Sequence, residues 1–184
     1  MRYFLRDGDE TVRICAGRSE TTTCGEQVFT DPKTGEQWTK FFYCCFGGPG
    51  PYWSGLARYP LPDADVLLAV CGDSEDLDEV AAASLFLDES VDTRWRLLDL
   101  VEFLIEQSPS SPRIKVLLDN GVFGIRTGHC SSVGMMVAEI NRQYELSMRC
   151  AERSVAIRKR LAPHSRPYDK PGLCHQGRRN GLPN

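Results

Sequence analysis

A chain of 184 residues, 41% hydrophobic and 26% charged, has the composition of an ordinary globular protein and enough length to bury one sizeable core. Its longest apolar runs, Val66 to Cys71 and Leu97 to Ile105, are interrupted or fall far short of the roughly 20 residues that cross a bilayer, so no membrane span is expected. The net charge of −3 hides an uneven split: residues 1–148 carry 13 basic and 23 acidic side chains, residues 149–184 carry 9 and 2. An acidic body repels nucleic acid and suits a basic protein surface, whereas the basic C-terminal segment can meet phosphates or fold back on the body.

The N-terminus turns acidic at Asp7 and Asp9 before an apolar stretch of signal-peptide length develops, so a cytoplasmic location with reduced thiols is expected. The eight cysteines, at 15, 24, 44, 45, 71, 130, 150 and 174, contain no C-x-x-C pair, the usual source of structural zinc ligands. No metal or cofactor is expected, and several of these thiols are read as small buried hydrophobes.

In chain order, residues 10–45 read as antiparallel sheet. Val12, Ile14 and Ala16 alternate with Thr11, Arg13 and Cys15. Val28 to Thr30 and Trp38 to Cys45 flank a Pro- and Gly-bearing turn over residues 31–36, which predicts a hairpin. The second arm is apolar on both faces, as in a central or covered strand. Residues 46–63, rich in Gly, Pro and aromatic side chains, read as a long loop. Its Tyr52, Trp53, Arg58 and Tyr59 are the candidate partner-binding residues, because interface cores favour Tyr, Trp and Arg; the competing reading has the rings capping the core.

Val66 to Cys71 reads as a short buried strand ended by Gly72. Asp73 or Ser74 is placed to cap a helix with four acidic residues in its first turn, favoured by the helix dipole. A second helix from about Thr93 to Gln107 is apolar around much of its circumference and reads as the core helix, with Asp99, Glu102 and Glu106 as a solvated edge. Ser111 before Pro112 caps a short helix ended by Asn120-Gly121, and Val122 to Arg126 reads as a strand. From Ser131 or Ser132 to about Leu161 one long helix is predicted, with Ile140, Tyr144, Met148, Ala151 and Val155 at steps of three or four. That stripe is either intramolecular core or the seam of a homodimer. Residues 162–184, basic and rich in Pro and Gly, read as an extended or disordered tail outside a single α+β domain over residues 1–161.

Gly128-His129-Cys130-Ser131-Ser132 is the candidate catalytic segment, since a thiol at a helix N-terminus has its pKa lowered by the dipole and backbone N–H groups. The layout resembles the nucleophile turn of papain-like cysteine hydrolases, where Cys-Ser opens a helix and a histidine follows later in the chain. The resemblance spans five residues, and the later histidines, His164 and His175, fall in the tail. Phosphatase, G-x-S-x-G and phosphate-loop patterns fail on inspection. The leading expectation is therefore a small non-catalytic protein-interaction module, of the toxin-neutralising immunity kind, that binds through its acidic body and aromatic loop. A cysteine-dependent hydrolase or transferase using Cys130 with His129 is the alternative, and a nucleic-acid accessory protein acting through the basic C-terminal segment the second.

Overall fold

The fold was obtained as a computed structural model that describes residues 1–43, 53–88, 90–120 and 137–161. It is α+β, a five-stranded antiparallel sheet followed by helices that end in one long helix, as composition and pattern imply. The strands are β1 (Phe4–Arg6), β2 (Ser19–Thr21), β3 (Gln27–Thr30), β4 (Gln37–Tyr43) and β5 (Trp53–Arg58), in spatial order β1-β5-β4-β3-β2. The helices are α1 (Asp9–Cys15), α2 (Ala64–Asp73), α3 (Leu77–Leu87), α4 (Val91–Gln107), α5 (Pro112–Asn120) and α6 (Val137–Leu161).

The β3–β4 hairpin forms where the sequence places it. The Asp31 N–H donates to the Glu36 carbonyl and the Gly35 N–H to the Asp31 carbonyl, both at 2.8 Å. Gly35 sits at φ +73°, a left-handed conformation that a side chain would strain. β4 is central, between β3 and β5, and its two faces meet different partners, as the two-sided apolar pattern requires. One face of the sheet carries Phe4, Phe41, Trp53 and Ala57, which join α2, α3, α4 and α5 in the main core. Phe86 of α3 stacks on Phe41 with centroids 4.1 Å apart and leans on Phe4 at 5.4 Å. The other face presents Leu5, Phe29, Trp38 and Leu56 to Ile14 of α1, a separate small cluster.

Three segments depart from the sequence reading. Residues 11–16 were expected as strand, but 11–15 belong to α1 and Ala16 is its C-cap: Thr11 and Ile14, one helical step apart, are buried, while Val12 stands 68% exposed. The apparent alternation is too short to mean a pleat. Residues 66–71 were also expected as strand and form α2. Asp63 caps it by accepting a hydrogen bond from the Val66 N–H at 2.9 Å, and Leu67, Val70 and Cys71 are buried at steps of three and one, a helical face. An uninterrupted apolar run does not by itself distinguish the two elements. Residues 53–58, read as loop, form β5. Gly55 allows β1 to approach, because a Cβ there would collide with the Leu5 carbonyl.

The later helices follow their caps. Asp76 accepts from the Asp78 and Glu79 N–H groups at the start of α3, two residues beyond the nearer expected cap, and Ser90 accepts from Thr93 N–H at the start of α4. A buried ion pair closes the α3–α4 connection: Arg94 Nε lies 2.7 Å from Asp88 Oδ1, and its guanidinium donates to the Asp88 carbonyl at 2.8 Å. Arg113 of α5 donates to the Gly72 and Ser74 carbonyls, satisfying the C-terminal end of α2. The strand read at 122–126, the start of the long helix before Val137 and the tail at 162–184 lie outside the described residues.

Candidate interaction surface

Of the four aromatic-loop residues, Tyr52 lies outside the described residues and the other three belong to β5 or its end. Trp53 is 3% exposed, edge-on to Phe4 at 6.2 Å and tilted against Phe41 at 5.2 Å, so its ring fills the main core instead of projecting to a partner. Arg58 is half-buried and donates to Glu36 Oε1 at 2.7 Å, tying β5 to the hairpin turn. Tyr59 is half-buried directly after β5. Pairing with β4 over six residues and with β1 over three draws this segment into the sheet.

His129 and Cys130 lie outside the described residues. Among the described thiols, Cys71 is fully buried and burial pushes it up to about 12; burial likewise raises Cys150. Both are poor nucleophiles. Among the described residues no group of three His, Cys, Asp or Glu side chains stands close enough to hold a metal, and no helix is long and apolar enough to cross a membrane.

What the fold assembles instead is a carboxylate-rich face that no single stretch of sequence displays. Asp7, Asp9 and Glu10 stand at the start of α1, and Asp73, Glu75, Asp76 and Asp78 occupy the turn between α2 and α3. Two arginines, Arg2 just before β1 and Arg6 at its end, bring these segments together. Arg2 reaches Glu10 at 3.3 Å and Asp76 at 3.2 Å, and Arg6 reaches Asp78 at 2.6 Å. Beneath them Glu79, 5% exposed, accepts from the Tyr3 N–H at 2.5 Å and from the Ser74 hydroxyl at 2.8 Å, which anchors the edge strand to α3. Asp9, Asp73, Glu75 and Asp78 are exposed to solvent. Eight carboxylates, Glu79 included, stand against the guanidiniums of Arg2, Arg6, Arg13, which reaches Glu10 at 3.7 Å, and Arg113, which donates into the α2–α3 turn, so the face keeps a net negative charge. Only the acidic run at 73–79 was visible as a cluster in the sequence; the contribution of α1 was hidden by its reading as strand.

The long helix α6 docks on α4 by a different stripe from the one its sequence advertises. Cys150, Ser154 and Ile157 are buried, whereas Tyr144 and Val155 are 54% and 50% exposed. Arg153 secures the contact. Its guanidinium lies 2.6 Å from both Asp99 and Glu102 and 4.9 Å from the centre of the Trp95 ring. Of the three α4 carboxylates read as a solvated edge, Asp99 and Glu102 are thus interhelix partners and Glu106 is exposed, and Arg153 holds Glu102 below the usual carboxylate range. Arg158 caps the C-terminal end of α5 by donating to the Leu118 carbonyl at 2.7 Å. Part of the basic charge at the end of α6 therefore serves intramolecular contacts.

No family model matches this chain, and no curated protein or solved structure does.

Proposed function

We propose that the protein is a small non-catalytic interaction module that receives a basic partner on the face formed by the start of α1 and the α2–α3 turn. One observation carries this reading: carboxylates some 66 residues apart in sequence converge through the Arg2 bridges to Glu10 and Asp76, while Asp9, Asp73 and Glu75 remain exposed. Such a surface gives charge-steered association and selects against acidic partners. The toxin-neutralising kind of module is the specific form of this reading, since it acts by covering a partner's basic surface.

The test is a capture experiment from the native host's lysate with the intact chain and with the triple variant Asp9→Lys, Asp73→Lys, Glu75→Lys, followed by salt titration of the identified complex. Exposed positions such as Asp73 and Glu75 change stability by about 0.5 kcal/mol or less each, and reversing Asp9 at the start of α1 adds about 1 kcal/mol through the helix dipole, so a melting curve of the variant accompanies the capture. A stoichiometric basic partner bound by the parent and lost with the variant supports the reading. Equal capture by both proteins, or binding insensitive to salt, rejects it. A Cys130→Ala chain in parallel separates the hydrolase alternative, which requires a substrate held covalently by the parent and not by that variant.

A further inference from the structure

We draw no further inference here: the strongest candidate, the apolar stripe along α6 that leaves Tyr144 and Val155 exposed, carries nothing because nothing in the structure shows what covers it.

Discussion

The two sides of the sheet are built to different specifications. The side facing α3 is a continuous apolar core that Phe4, Trp53 and Ala57 share with buried residues of α2, α3, α4, α5 and α6, closed by the buried Asp88–Arg94 pair. The side facing α1 is a cluster of five buried residues under a helix of seven residues, too short to be stable from its own hydrogen bonds. Polar contacts hold that helix in place. Arg13 of α1 donates to Asp31 Oδ1 at 2.5 Å, and Asp31 also accepts from the Lys33 N–H at 2.9 Å and the Thr34 hydroxyl at 3.2 Å. Each layer therefore has its ion pair, enclosed between Asp88 and Arg94 on the deep side and partly open to water at Arg13 on the thin one.

This contrast makes the largest predicted effect an electrostatic one on the deep side. Arg94→Ala strands the Asp88 carboxylate in the core, and a loss of about 3 to 5 kcal/mol is expected in urea or thermal unfolding. A loss under about 1 kcal/mol would mean that the pair is solvated and the core boundary lies elsewhere. Next, Leu98→Ala, at a fully buried position on α4, is expected to cost about 2 to 5 kcal/mol with two-state unfolding preserved.

Ile14→Ala on the thin side should cost less, about 2 kcal/mol, and should raise amide exchange in α1 and β3 without disturbing α4. Equal costs at Ile14 and Leu98 would dissolve the distinction between the two layers.

The smallest effect is a pH dependence. Arg13, with the Lys33 N–H and the Thr34 hydroxyl, lowers the Asp31 carboxyl from 3.8 to about 2. The folded pKa is depressed, so the stability that Asp31 contributes is complete above pH 3.8 and drains away as pH falls from there toward 2. Asp31→Asn should therefore melt below the parent at pH 6, with the gap closing below pH 3. A gap unchanged between those conditions would show that the Asp31 cluster acts through shape and not charge.

The sequence made the deep side far more legible than the thin side. α3, α4 and α5 announce themselves through local signals: an acidic first turn, Ser90 or Ser111 before the helix, and long apolar periodicity. The β3–β4 hairpin is equally local, with Gly35 marking its turn. β1 is not local, because it becomes a strand only by pairing with β5 residues about 50 positions away, and β5, which pairs with β4 as well, has the Gly and Trp content of a loop. α1 was hidden because Val12 and Ile14 mimic alternation although only Ile14 points inward. α2 had a readable signal, Asp63 three residues before Val66, that the apolar run outweighed. The acidic face was half legible for the same reason: its α3 portion is a contiguous run, and its α1 portion depends on β1 finding β5.

The position of β1 also ties folding order to surface chemistry. The hairpin of β3 and β4 can form as soon as residue 43 is available, but the edge strand must wait for Arg58, so the sheet closes through its most distant contacts. Arg2, two residues before this strand, and Arg6, its last residue, are the two bridges that gather the acidic face. Fraying of that edge would release both bridges at once and let the carboxylates repel one another. Protection of the Leu5 amide, which faces Leu56 across the β1–β5 ladder, against hydrogen exchange is therefore a remote gauge of the negative face: whatever neutralises those carboxylates should slow exchange in a strand it never touches.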